Sequence, residues 1–249
     1  MLTEEESRRY SRQMALPEIG IEGQLRLTAG RVMVVGLGSI AAYYLAAAGV
    51  GYLKLIDRDR VALENLNRQI LHTAFDLERP KSESAAEKLG LVNPHCRIEA
   101  VHTTLDEGNA EALLADCALI FDATDNREAR QVLNRLSLQR RVPFVYGGIN
   151  GWEGMASTFI PGSTACFSCL FPPQVETTGT APPPVIGPTA GLVASIQCLE
   201  TPRLLTGAPP QLAGRLLRFS GLTMEFRTLQ IERNRLCPVC GSPQHYSSP

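Results

Sequence analysis

Two cysteine pairs, Cys166-Phe-Ser-Cys169 and Cys237-Pro-Val-Cys240, are the residues whose spacing most directly implies chemistry. Each knuckle can present two thiolates to one ion, and four thiolates close a tetrahedral zinc site. With no open coordination position such a metal would be structural, pinning the C-terminal part of the chain to its middle. A pair of redox dithiols and an iron–sulfur cluster are the competing readings. Seven cysteines are an odd number, and metal binding outranks disulfides for a chain of cytosolic character.

A second constellation lies earlier. Arg31-Val-Met-Val-Val35 runs into Gly36-Leu-Gly38, an alanine-rich helical pattern follows, and Tyr52-Leu-Lys-Leu-Ile56 ends on Asp57. The glycines would let a phosphate approach backbone N–H groups at a helix N-terminus. Asp57 falls about 20 residues later, where βαβ units place the carboxylate that holds a ribose hydroxyl. Only two glycines of the G-x-G-x-x-G pattern are present, with Ala41 at the third place. Asp59, Asn65, Arg68 and Gln69 crowd the segment just beyond that strand, where ligands of open α/β sheets collect. Asp122-Ala-Thr-Asp125-Asn126 ends a later apolar run. Paired acids there suit Mg²⁺, while Asp125 or Asn126 could equally cap the following helix.

The elements that must position these residues follow from the pattern. Residues Leu2 to Gly30 read as helical in pieces, broken around Pro17-Glu-Ile-Gly20, and by themselves as a solvated arm carrying Arg8, Arg9 and Arg12. Helices are expected over Lys81 to Leu91, Asn109 to Ala115, Arg127 to Arg140 and Thr189 to Leu205. Strands are expected over Arg97 to His102, Cys117 to Asp122, Pro143 to Gly147, Met155 to Ile160, Leu216 to Phe219 and Met224 to Glu232. Residues Pro172 to Pro188 read as a long surface loop. The alternation up to Tyr146 implies an α/β fold, Rossmann-like, with a mostly parallel sheet and helices on both faces, continued by antiparallel strands and the four-cysteine zinc site. Cys96, Cys117 and Cys198 read as small core residues. His72, His95, His102 and His245 share no spacing that would make a base or a ligand set.

The bulk numbers exclude several classes. Of 249 residues 44% are hydrophobic, enough for a large core, and 24 basic against 25 acidic residues leave a net charge of -1. No basic excess suggests nucleic acid or an anionic membrane, no apolar run reaches the ~20 residues of a membrane span, and the polar N-terminus is no secretory signal. A soluble, cytoplasmic protein is expected.

Taken together, the motifs Arg9-Tyr-Ser-Arg12-Gln13, Tyr44-Leu-Ala-Ala-Ala-Gly-Val-Gly51, Asp57-Arg-Asp59, Asn65-Leu-Asn-Arg68-Gln69, Arg79-Pro-Lys81, Asp122-Ala-Thr-Asp-Asn126 and the two knuckles resemble the MoeB/ThiF/HesA family of adenylating enzymes, relatives of the ubiquitin-activating enzymes. The resemblance covers nearly the whole chain. It implies one adenylation domain over 1–249, with a helical arm (1–30), a nucleotide-binding part (31–150) and an antiparallel, zinc-bearing part (151–249). It implies ATP and Mg²⁺ as well as zinc, a homodimer, and a small ubiquitin-like sulfur-carrier protein with a Gly-Gly tail as the partner whose C-terminal carboxylate is adenylated. By the same resemblance Asp57 holds the ribose, Asn65, Arg68 and Lys81 grip the triphosphate, Asp125 holds Mg²⁺, and Arg12 acts across the dimer.

Two departures from that family stand out. The loop Val34-Val-Gly-Leu-Gly-Ser39 is about three residues shorter than the usual Gly-x-Gly-Gly-Leu-Gly form and so offers fewer N–H groups to phosphates. Thr180 falls about where many members carry an acyl-accepting cysteine, so no enzyme thioester is expected. The alternatives are a catalytically silent, zinc-stabilised dimeric binding protein, which the short loop favours, and a nicotinamide-dependent oxidoreductase, which leaves Arg12, Arg68, Lys81 and the knuckles unexplained.

Overall fold

The computed structural model describes residues 1–173 and 184–241. Its strands are β1 (Arg31–Val35), β2 (Tyr52–Ile56), β3 (Arg97–Val101), β4 (Leu119–Asp122), β5 (Phe144–Asn150), β6 (Glu153–Phe159), β7 (Arg215–Ser220) and β8 (Glu225–Gln230). Among the described residues they form one sheet in the order β3-β2-β1-β4-β5-β6-β7-β8. The first five strands pair in parallel and the last three antiparallel. The sheet is therefore mixed, as expected, and its antiparallel part is continuous with the parallel one.

The helices are α1 (Glu4–Arg9), α2 (Ser11–Met14), α3 (Gly20–Ala29), α4 (Ser39–Ala47), α5 (Lys81–Val92), α6 (Ala110–Leu114), α7 (Arg127–Arg140), α8 (Phe167–Leu170) and α9 (Gly187–Thr206). The central strands read as continuous apolar runs because both faces are covered. Val32, Val34, Leu53, Leu55 and Phe121 meet α4, α5 and α9 through Ala41, Leu45, Ala85, Leu89 and Ala194. Met33, Ile56, Ile120, Phe144 and Tyr146 pack on the other face against α6 and α7 through Leu114, Val132, Leu133 and Leu136. Each such large side chain contributes about 1.5–3 kcal/mol on burial, and Phe121→Ala would cost about 3–5 kcal/mol. The alanines of α4 let it approach both the sheet and α9, where a side chain on Gly191 would meet Ile40.

The N-terminal arm is not simply solvated. Tyr10 is buried, its hydroxyl accepts from Asn93 Nδ2 at 2.8 Å, and Gln13 Nε2 donates to the carbonyl of Ala48 at 2.7 Å. Arg12, between these anchors, stays exposed. The long loop is shorter than expected at its C-terminal side, since α9 begins at Gly187 with Pro188 in its first turn, where proline's missing N–H costs nothing. Its positions 174–183, Thr180 among them, and His245 lie outside the described residues. No helix of the described residues is long and apolar enough to cross a membrane.

Candidate functional site: a nucleotide-sized cavity and a four-cysteine cluster

Strand β1 hands the chain to β2 on one side and β4 lies on its other side, so a crevice opens at the carboxyl ends of β1 and β4. A cavity of about 650 Å³ occupies it. Its wall includes Gly36, Gly38, Asp57, Asp59, Arg68, Gln69, Lys81, Asp125 and Asn126, which come from segments far apart in sequence. Two of the expected site residues are not on this wall: Arg12, out on the arm, and Asn65. The Oδ1 of Asn65 accepts from the N–H of Ala62 at 3.1 Å, closing a 3-10 turn that shapes the Asn65–Gln69 segment from within.

The loop after β1 is held tightly. Gly36 has φ +70°, and a Cβ there would lie 2.6 Å from the carbonyl oxygen of Ala123. Only glycine permits both the left-handed conformation and that approach. Asp57, 9% exposed, accepts from the N–H of Leu37 and from the N–H of Asp59, each at 2.8 Å. Burial raises its pKa, and those two N–H groups pull it back. The acid therefore fixes the turn it shares the cavity with, and retains lone pairs for a further donor.

Lys81 opens α5, and its Nζ reaches Asp59 Oδ2 at 3.0 Å although the side chain is only 6% exposed. The chain around it is clamped: Val61 N–H donates to Arg79, Glu78 N–H to Val61, and Lys81 N–H to Asp59. Arg68 turns onto its own segment, donating to Glu64 O at 2.8 Å and to Asn67 Oδ1 at 3.0 Å. Behind it α9 presses close, since a Cβ on Gly187 would lie 2.9 Å from Asn67 O.

The two acids of the 122–126 segment differ in role. Asp122 is fully buried and paired with Arg130 at 3.0 Å, and also accepts from Thr124 N–H at 2.9 Å and from the Thr124 hydroxyl. Arg130 further donates to the carbonyls of Thr124 and Gly147 and lies over the ring of Tyr146. Asp122 is thus already neutralised, while Asp125 is exposed on the cavity side. Asn126 caps α7 by accepting from the N–H of Ala129 at 2.8 Å. The expected cap is made by Asn126, while of the two acids only Asp125 stands exposed, because Asp122 is taken by Arg130.

Sequence reading missed Arg130, and also Gln197, which donates to Asp122 O at 2.7 Å and fills the space a side chain on Gly147 would need. The signal for Arg130 was present as a helical stripe. Arg130, Asn134 and Leu138 recur at i, i+4 and i+8 of α7, so a charged group lies in line with buried ones.

Farther along the same stripe is the second site. Cys166, Cys169, Cys237 and Cys240 bring their sulfurs within 4.8 Å of one another. Cys166 stands 3.8 Å from both Cys169 and Cys237, and Cys169 3.4 Å from Cys240. Four sulfurs about 2.3 Å from one tetrahedral ion are about 3.8 Å apart, close to the spacing found here, so the cluster suits a metal. Asn134 of α7 donates to Cys166 Sγ at 3.7 Å and to Ser168 Oγ at 3.0 Å, and accepts from Phe167 N–H at 3.0 Å. Burial and the neighbouring sulfurs raise the thiol pKa of Cys166, so a metal would have to displace its proton. Cys96 and Cys117 are buried apart from this group, and burial pushes Cys198, against α4, up to about 12.

The model of the ThiF family matches residues 10–239. The SAMP-activating enzyme E1 of Haloferax volcanii is 40% identical over 244 residues, 94% of this chain and 88% of that protein. The sulfur carrier protein adenylyltransferase of Thermus thermophilus is 38% identical over 250 residues, 96% of this chain and 92% of that protein. Among solved structures, E. coli MccB with MccA-N7isoASN superposes with a TM-score of 0.85 at 18% identity, over 95% of this chain and 75% of MccB, a likeness of fold. The chain is an enzyme of the adenylyltransferase class, and it belongs to the ThiF family.

Proposed function

We propose that this protein uses ATP to adenylate the C-terminal carboxylate of a small ubiquitin-like sulfur-carrier protein with a Gly-Gly tail. One observation carries the reading: a single cavity gathers the glycine turn, Asp57, Arg68, Lys81 and Asp125 from five separate segments. The relatives named for sulfur-carrier and SAMP activation support the choice of acceptor.

The chemistry suits these side chains. A carboxylate oxygen attacks the α-phosphorus, the bond to the β-phosphate oxygen breaks, and pyrophosphate leaves with that electron pair. No proton moves in the step, so no general base is needed. Catalysis is positioning plus stabilisation of the growing negative charge. Lys81 and Arg68 supply cations, the planar guanidinium fork suiting a phosphoryl group. Asp57 holds the ribose, with Asp59, Gln69 and Asn126 completing the wall. Asp125 would hold Mg²⁺, which neutralises phosphate charge when bound. The four cysteines would hold a structural zinc ion. Arg12, exposed between the anchors Tyr10 and Gln13, would enter the cavity of a second copy in a homodimer. No acyl group passes to the enzyme, and the product is the adenylate.

A silent family member is the second reading, and one feature favours it. The N–H groups of Gly36, Leu37 and Gly38 are spent on Ile56 O, Asp57 and Gly36 O, leaving none of the three for a phosphate. ATP–pyrophosphate exchange with Gly-Gly carriers separates the readings. Exchange that requires the carrier and drops at least ~100-fold in Arg68→Ala, without loss of thermal stability, supports the enzyme. No exchange, and no thermal shift with Mg-ATP, overturns it.

A further inference from the structure

Resting on the nucleotide reading of the cavity, we propose that the Ser39 hydroxyl is a phosphate-binding group of this site, donating a hydrogen bond to a phosphoryl oxygen of the bound nucleotide. Ser39 is the first residue of α4, a helix of nine residues whose cap, Gly38, provides no side-chain hydrogen bond. The residue lines the cavity and is 4% exposed. Its Oγ is buried, yet among the described residues no acceptor or donor meets it. A hydroxyl withdrawn from water without a partner costs about 1–3 kcal/mol, and such groups are few in native proteins. A ligand in this cavity would supply the acceptor.

The position selects the ligand's chemistry. The first amides of α4, on Ser39, Ile40 and Ala41, have no intrahelical acceptor and carry the positive end of the helix dipole. Residues 36–38 spend their own N–H groups inside the protein. Between β1 and α4 the donors left for an anion are therefore the helix's first amides and the Ser39 hydroxyl. Toward a phosphoryl oxygen a serine hydroxyl acts as donor. Ser39 thus replaces, with a side chain, a donor that the short loop no longer offers from its backbone.

Ser39→Ala tests this, since alanine suits a helix and removes only the hydroxyl. For the wild-type chain and the variant, the melting temperature of the nucleotide-free protein would be measured, with the Kd for a non-hydrolysable Mg-ATP analogue, for AMP and for adenosine. The expected result is an unchanged or raised melting temperature, an ATP-analogue Kd weakened about tenfold or more, and an unchanged adenosine Kd. A lowered melting temperature would show a structural hydroxyl and overturn the proposal. Equal weakening for adenosine would place the contact away from the phosphates and do the same. If the wild-type chain binds no nucleotide, the functional reading falls and takes this one with it. If it binds and Ser39→Ala binds equally well, only the role of Ser39 falls.

Discussion

Helix α7 touches two very different regions. Along its C-terminal half, Asn134 and Leu138 support four sulfurs that already stand at metal-site spacing. At its N-terminus, Asn126 and Arg130 border a cavity where Lys81 pairs with Asp59 and Arg130 with Asp122. An ion held by all four sulfurs of the first region would have no open position, and its part would be to hold the fold together. The second has room for a ligand, with Lys81 and Arg130 held by acids and Asp125 exposed toward the space. A closed site is complete in its ligands, whereas an open one keeps some of its donors waiting.

The largest effect should come from the closed region. Removing metal with a strong chelator, or Cys237→Ser, should lower the melting temperature steeply, since structural zinc contributes on the order of 10 kcal/mol in apparent free energy. Metal analysis should give one zinc per chain. An unchanged melting temperature after complete metal removal would break the contrast between the two regions.

Next comes the buried pair between the regions. Arg130→Met leaves the Asp122 carboxyl, at 0% exposure, without its cation, and should cost about 3–5 kcal/mol in urea unfolding. Adding Asp122→Asn should recover much of that loss. If it does not, the guanidinium's bonds to Thr124 and Gly147 matter more than the pair.

A smaller effect should follow pH. Burial, with Lys88 nearby, pushes the His72 imidazole down to about 4. A base with a depressed folded pKa is neutral in the native state and protonated in the unfolded one between that value and about 6.5. Its contribution is intact above about pH 6.5 and is lost as pH falls toward 4, on the order of 2 kcal/mol. Urea midpoints at pH 7 and pH 5 should differ less in His72→Gln than in the wild-type chain.

The smallest expected effect is none. Thr180→Ala should leave ATP–pyrophosphate exchange unchanged, and a large loss would mean the loop supplies a catalytic group.

Much of this was legible from short-range pattern. The helix Arg127–Arg140 falls where its cap and apolar spacing put it, and Lys81 begins its helix after Pro80 as expected. The knuckles were legible because three-residue spacing places both sulfurs of a pair on one side of a turn. Asn65 was harder, since a polar residue in a site motif can serve the backbone as readily as a ligand. Its bond to Ala62 is visible only in three dimensions.

By itself, the sequence determined what depends on neighbours along the chain: the βαβ order, the starts of the helices at Lys81 and Arg127, the cysteine pairs and the acid after β2. Only the tertiary structure decided which of two acids is free, since Asp122 meets Arg130 across a strand-to-helix turn while Asp125 does not. It alone showed that three loop amides are spent and that the Ser39 hydroxyl is left over. The physical reason is that hydrogen-bond donors are counted over the whole fold. Whether a polar group can serve a ligand depends on what distant residues have already claimed.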